Sequence, residues 1–301
     1  MQQSDESAAP AAAAMDVASL SSVWFLLRAF RLTASVVAVA IGLGNISLPQ
    51  ALWYKIRHEP LERSEDNEAC IHGRREEPNV ITETERRLGF VVSEGHYRTD
   101  PNLHWLGATP DGEIADDTFD EERLLERPPR KALLECKAPF FRPYDHAPIY
   151  YVIQTFVQMK VEGVKVNYLS SYWDSGRCMR IWRIRWSDEV WNWIMVRLVI
   201  FMTSLYNDVI PSAVVLPHVY HACQELMDAN FTHKSRSRIA AKYNIHPNML
   251  IPRIPIELIT FDDDPFIYKN GEKIRKNIPG IDCVFSFDVE PNLLDIDKLL
   301  S

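Results

Sequence analysis

The chain has 301 residues, of which 47% are hydrophobic and 25% charged, the balance of a protein that buries a core and not of a fibrous or disordered one. A net charge of −8 argues against a protein that coats nucleic acid or anionic membrane by basicity alone, leaving room for a local basic groove. Five scattered cysteines, Cys70, Cys136, Cys178, Cys223 and Cys283, include no CxxC pair, which argues against a disulfide framework or structural zinc and fits reduced thiols in an intracellular setting.

Residues 1–22 are rich in Ala, Ser and Gln and are predicted to form a flexible tail, because they hold too little apolar surface to offset the entropy of ordering. From residue 23 the sequence turns apolar. Trp24, Leu27, Phe30 and Val37 recur near helical spacing, which predicts one helix through residue 43, and Ser47-Leu48-Pro49 opens a second through Trp53 and Ile56. The uncharged stretch 32–54 is interrupted by Gly44, Asn45, Ser47, Pro49 and Gln50, short of the roughly 20 apolar residues a membrane span needs. Asp5, Glu6 and Asp16 stand where a secretory signal would be basic, so the expectation is a soluble chain with no membrane association.

Residues 64–88 alternate Glu and Arg in the manner of a solvated helix. Strands are predicted at 90–93, 104–108 and 132–137, separated by loops that include an acidic run at 116–122 and the Pro128-Pro129 pair. A helix follows over 150–162 and stops at Gly163. Strands at 167–173 and 179–186 flank Asp174-Ser175-Gly176 as a hairpin, and Ser187, Asp188 and Glu189 start an aromatic-rich helix to Tyr206. This order predicts an α/β fold with a mixed central β-sheet flanked by helices. The expected organisation is a tail over 1–22, a core over 23–210 and a C-terminal extension over 211–301 with no assigned role.

Pro110-Asp111 and Glu135-Cys136-Lys137 each match a short pattern, P-D and E-x-K, that occurs nowhere else in the chain. Strand alternation sends Glu135 and Lys137 out of one face and Leu134 and Cys136 out of the other. Two carboxylates converging on one point repel unless a cation lies between them, and hard oxygen ligands suit Mg²⁺ or Mn²⁺. A lysine beside that cation stabilises charge developing on a phosphate, so the arrangement suits phosphodiester hydrolysis.

Over residues 31–163 the sequence resembles the PD-(D/E)xK nucleases, in particular the YqaJ or phage lambda-type exonuclease branch. The ordered motifs are Arg31-Leu32-Thr33-Ala34-Ser35, Leu52-Trp53 with Lys55, Cys70-Ile71-His72-Gly73 with Glu77-Pro78, Trp105 to Gly112, Leu133 to Pro139, and Tyr151 with Gln154, Gln158 and Met159. The resemblance implies a restriction-endonuclease-like core. It also implies that Asp111, Glu135 and the backbone carbonyl of Cys136 bind Mg²⁺, with Mn²⁺ as the alternative, and that Lys137 handles the water. Glu77 would add a carboxylate near the metal, Arg31 and Ser35 would hold substrate phosphate, and Gln154 and Gln158 would line the site, although the glutamine pair of this branch is more closely spaced. DNA is the implied substrate, in recombination, repair or viral DNA processing, with a homo-oligomer and a single-strand-annealing or recombination protein as the implied partners.

The rival reading is a catalytically inactive nucleic-acid or partner-binding protein on the same fold, which the joint presence of Asp111, Glu135 and Lys137 disfavours. His218, His221 and Cys223 have no second ligand pair to complete a metal site, and Arg180, Arg183 and Arg185 with Trp182 and Trp186 read as cover for a half-buried sheet. Neither a Walker loop nor a GxSxG elbow is present.

Overall fold

The computed structural model describes residues 31–44, 48–58, 67–115, 131–173, 178–211, 217–228, 233–259, 266–269 and 272–275. The predicted tail over 1–22, the start of the apolar segment over 23–30, the acidic run at 116–122, the Pro128-Pro129 pair and the hairpin tip Asp174-Ser175-Gly176 lie outside the described residues. So does Cys283, and the described cysteines, Cys70, Cys136, Cys178 and Cys223, are all free thiols.

Where the sequence predicts one helix to residue 43, the described part divides into a short strand β1 (Leu32–Thr33) and a short helix α1 (Ala34–Ala40). The cause is tertiary. Leu32 N–H donates to the Trp105 carbonyl at 2.7 Å, and β1 pairs in parallel with β4 (Leu106–Ala108), which local apolar spacing cannot foresee. Helix α2 (Pro49–His58) follows with Leu52 and Trp53 buried, and then the long helix α3 (Glu68–Leu88).

Helix α3 begins at an Asn67 cap, whose side chain accepts from Cys70 N–H at 2.9 Å, and ends at Gly89 in the left-handed conformation at φ 73°. Its buried residues are Val80, Thr84 and Leu88, four apart on a single stripe, as a largely solvated helix requires. Thr84 Oγ1 donates to the Val80 carbonyl at 2.7 Å and lies 3.0 Å from Ser170 Oγ, which ties the stripe to the sheet. On the outer face Arg86 and Arg87 both donate to Glu83, and these bonds hold the Glu83 carboxyl at about 2, below its ordinary 4.5. The stabilisation from a lowered carboxyl is complete above the ordinary value and lost as pH falls from 4.5 towards 2. Glu83→Gln should therefore lower the melting temperature at pH 7 and lose most of its effect near pH 3; a deficit undiminished at pH 3 would exclude the ion pairs as its source.

A six-stranded mixed sheet runs in the order β2 (Val92–Glu94), β5 (Gly112–Ile114), β6 (Ala132–Lys137), β7 (Val166–Trp173), β8 (Cys178–Arg185) and β9 (Ile256–Ile259). Strands β6 and β7 are parallel and the other pairs antiparallel. A smaller sheet sets β4 between β1 and β3 (Arg98–Thr99). The parallel β6–β7 step is crossed over by helix α4 (Ile149–Glu162), which ends at Gly163 with φ 67°. On one face of the sheet, Leu133, Leu169, Trp182 and Ile184 pack with α1, α4 and α5 (Asp188–Tyr206); on the other, Leu134, Cys136, Tyr168 and Ile181 pack with Val80 and Leu88 of α3. Ser187 caps α5, accepting from Val190 N–H at 3.4 Å, with Asp188 and Glu189 in the first turn.

Beyond Pro211 the expected C-terminal extension packs, in its described part up to Ile259, on the core. Helices α6 (Pro217–Asp228) and α7 (His233–Lys242) bury Val219, Ala222, Cys223, Leu226 and Ile239 in the main core, and β9 joins the edge of the central sheet with Ile259 opposite Ile181. Arg183 pairs with Glu257 of β9 at 2.7 Å, and Arg180 is buried, so both arginines belong to the sheet. A second unit, starting at Asp262, is described only in the antiparallel hairpin β10 (Phe266–Lys269) and β11 (Glu272–Arg275). Among the described residues no helix is long and apolar enough to cross a membrane.

Candidate active site

The site grows from the point where the two sheets meet. Strand β4 runs into Thr109-Pro110-Asp111, and Asp111 N–H donates to the Leu134 carbonyl at 3.1 Å just before Gly112 pairs with Leu134. Asp111 thus sits at the sheet crossover, with Oδ2 accepting the Cys136 N–H at 2.7 Å. Gly95 packs its backbone against this loop, where a Cβ would overlap the Pro110 carbonyl oxygen.

Alternation along β6 sends Leu133, Glu135 and Lys137 towards α4, with Leu134 and Cys136 on the α3 side. The Glu135 side chain is only 1% exposed, and polar hydrogens surround it. Oε1 accepts from Lys137 Nζ and from Gln154 Nε2, the latter at 2.6 Å, while Oε2 accepts from Gln158 Nε2. Gln154 and Gln158 lie one turn apart on α4, so both reach Glu135, one to each oxygen. Asn167 Nδ2 donates to Gln158 Oε1 at 2.9 Å, which turns the Gln158 amide nitrogen towards the carboxylate and the Thr109 carbonyl. Asn167 and Tyr151 are the groups that residue reading missed as site members. A fully buried asparagine in an apolar strand was the available signal for the first; the Tyr151 ring, 4.7 Å below Lys137 Nζ, appears only once α4 is docked.

Electrostatics bind the cluster together. Burial, and then the Glu135 charge, hold the Asp111 carboxyl well above the ordinary carboxylate range, against the pull of Lys137, with Glu77 adding to the rise. Burial and the same Glu135 charge raise Glu77, opposed by Lys137 and Arg74. Burial pulls Lys137 down, but Glu135 and Asp111 more than offset it, so the ammonium stays charged. Burial and the surrounding carboxylates push the Cys136 thiol well up, leaving it protonated and unreactive while its side chain packs on the α3 face. Asp111, Glu135 and Glu77 therefore converge on Lys137, with Arg74 acting on Glu77 as well, and the three carboxyls outnumber these cations.

That donor set fits a hard divalent cation: oxygen ligands, surplus negative charge, and carboxyls destabilised in its absence. Among the described residues no three His, Cys, Asp or Glu side chains form a ready cage for a metal ion. The same finding covers the His221 and Cys223 region, where Cys223 is wholly buried.

The structure does not bring Arg31 to this cluster. Because β1 runs parallel to β4, Arg31 lies beside the start of β4, with Nε donating to the His104 carbonyl at 3.1 Å, whereas Ser35 is carried towards the end from which Asp111 follows. Ser35 is exposed in the first turn of α1, with Oγ 3.1 Å from Thr33 Oγ1.

Residues 23–165 match the family model of the YqaJ-like viral recombinase domain. Among solved structures the chain is similar to an alkaline exonuclease, LHK-Exo, from Laribacter hongkongensis, at 22% identity over 62% of this chain and 94% of that one, with a TM-score of 0.49. The structure of LHK-Exo with dAMP aligns at 21% identity over 62% of this chain and 94% of that one, with a TM-score of 0.50, which supports the shared fold. A phage-related exonuclease from Haemophilus somnus aligns at 11% identity over 59% of this chain and 94% of that one, with a TM-score of 0.44. No curated protein matches the chain.

Proposed function

We propose that the chain, whose residues 23–165 match the family model of the YqaJ-like viral recombinase domain, is a divalent-cation-dependent DNA exonuclease acting in recombination. The observation that carries the reading is the cluster at the end of β6, where Asp111, Glu135 and Glu77 converge on Lys137. Mg²⁺, with Mn²⁺ as the alternative, would be held by Asp111, Glu135 and the Cys136 carbonyl, with Glu77 close by. Once bound, the cation neutralises phosphate charge and makes water a better nucleophile.

The chain's own residues do the rest. Gln154 and Gln158 hold the Glu135 carboxylate in one orientation, so that little reorganisation is needed when the phosphate arrives. The Cys136 N–H does the same for Asp111. Lys137, kept protonated, orients the attacking water and donates to the phosphoryl oxygens as negative charge grows on them. Ser35, at the same end of β4 as Asp111, contacts a neighbouring phosphate, and Arg31 contributes from just before β1.

The test is digestion of end-labelled linear and closed circular DNA by the purified chain with Mg²⁺, Ca²⁺ or EDTA. Release of mononucleotides from linear DNA only, with Mg²⁺, is the expected outcome; equal digestion of circles makes the protein an endonuclease, and digestion in EDTA ends the divalent-cation reading. Arg31→Ala should weaken DNA binding and reduce the salt slope by about one phosphate contact. An unchanged slope would leave Arg31 with a structural role only.

A further inference from the structure

A second concave site begins where the catalytic strand ends. Lys137 pairs with Ser171, and residues just beyond them on the two strands, Pro139 and Phe140 after β6 and Tyr172 and Trp173 of β7, line a cleft of about 280 Å³. Its remaining wall is α3, through His72, Arg75 and Glu76, the last of these next to Glu77. The elements that supply the candidate catalytic groups thus continue into the cleft, which lies on the α3 side of the sheet, across the strand ends from Gln154 and Gln158.

The lining favours one kind of occupant. Phe140, Tyr172 and Trp173 offer aromatic surface, and Phe140 remains 43% exposed, with Phe141 beside it at 84%. The His72 ring meets Phe140 edge-on at 5.3 Å, which holds the phenylalanine at the rim. Arg75 adds a planar cation, with Nη2 3.1 Å from His72 Nδ1. The Glu76 carboxylate is fixed by Asn79 at 2.9 Å and by Arg75 Nε at 3.1 Å. A carboxylate inside the cleft repels a phosphate but accepts from the N–H groups on the edge of a nucleobase. The volume lies below the roughly 300 Å³ at which pockets begin to enclose drug-sized ligands, so it suits one planar ring system and no base pair.

We propose that this cleft takes a single unpaired base of the DNA strand adjacent to the bond being cut, stacked on Phe140 with its polar edge towards Glu76. The proposal rests on the nuclease reading and adds to it a subsite that draws the frayed end of a strand past the carboxylates. From Lys137 to Phe140 is three residues, at most about 10 Å of chain. With roughly 3.4 Å per nucleotide in a duplex strand, the captured base lies within about three steps of the scissile phosphate.

The experiment uses the full chain carrying Asp111→Asn, so that DNA is bound and not consumed, and duplexes with 2-aminopurine placed singly at each of the first six positions from either end. Stacking should change the probe's emission at one to three nucleotides from one end and leave the other positions as in free DNA. Adding Phe140→Ala should abolish that change and raise Kd about 5- to 100-fold, the range expected for losing one base stack. His72→Ala, which frees the Phe140 ring while leaving it in place, should reduce the emission change in part. Uniform emission along the duplex, no binding, or a Phe140→Ala chain that matches its parent within twofold overturns the proposal. Digestion of linear DNA by the wild-type chain separates the two readings: cleavage with uniform emission removes the subsite and keeps the nuclease, whereas local stacking without cleavage keeps the subsite and removes the nuclease.

Discussion

Asp111→Asn should abolish hydrolysis and leave the metal-free chain at least as stable as its parent, whereas Glu135→Gln should abolish hydrolysis and destabilise the fold. Each removes a charge on which the cation and the phosphate depend, and a loss of about 10³-fold or more in single-turnover cleavage is expected. The stabilities part because the two carboxylates have opposite surroundings. Asp111 receives one backbone N–H, and its burial and the charges of Glu135 and Glu77 outweigh the pull of Lys137. A carboxyl raised in the folded state holds its proton more tightly there than in the unfolded chain. Without divalent cation the parent should therefore gain stability as pH falls from the raised value towards the ordinary 3.8, and Asp111→Asn should lack that gain.

Glu135, by contrast, accepts from Lys137, Gln154 and Gln158, all donors that an amide can satisfy with only one oxygen. An amide also turns its own N–H groups towards them. Leaving buried donors unmet costs about 1–3 kcal/mol, and losing the charge adds to it, so about 3 kcal/mol is expected from urea unfolding in EDTA. Equal stability of the two variants would remove the account of the Glu135 cradle; near-parental turnover by either would remove the assignment of the site.

Lys137→Ala should destabilise the metal-free protein about as much as Glu135→Gln does. It leaves a carboxylate whose side chain is only 1% exposed without its cation, and breaking a buried pair in this way costs about 3–5 kcal/mol. The Lys137 side chain is itself 20% exposed, with Nζ over the Tyr151 ring, so the lower end of that range applies. Because any species that binds only the folded state stabilises it by mass action, Mg²⁺ should raise the melting temperature of Lys137→Ala more than that of the parent. Lys137→Arg should keep most of the stability and still lose cleavage, since the wider guanidinium satisfies the charge but not the position. If Mg²⁺ shifts the alanine variant no more than the parent, Lys137 and the cation do not share the Glu135 charge.

Several features were legible before any tertiary contact was known, because they depend on neighbours in sequence. The alternation of Leu133 to Lys137 puts Glu135 and Lys137 on one face of a strand, and the structure has them there. Ser187 with Asp188 and Glu189 starts a helix, Gly163 ends one, and strands around residue 175 return as a hairpin, each by a local rule of capping, backbone handedness or turn closure. What escaped depends on residues far apart. Strand β1 exists because Leu32 meets Trp105, and β9 because Ile259 meets Ile181; neither segment shows a strand period of its own. The segment after Pro211 reads as weak in isolation for the same reason, since its helices gain their order by burial against the rest of the core. The site divides along this line. Residue types and spacing picked out Asp111, Glu135 and Lys137, but only the docking of α4 shows that Gln154 and Gln158 take one Glu135 oxygen each, that Asn167 sets the amide, and that Tyr151 lies beneath the lysine. Periodicity is a property of a segment, whereas a charge's environment is a property of everything packed against it, and that is decided only when the chain closes on itself.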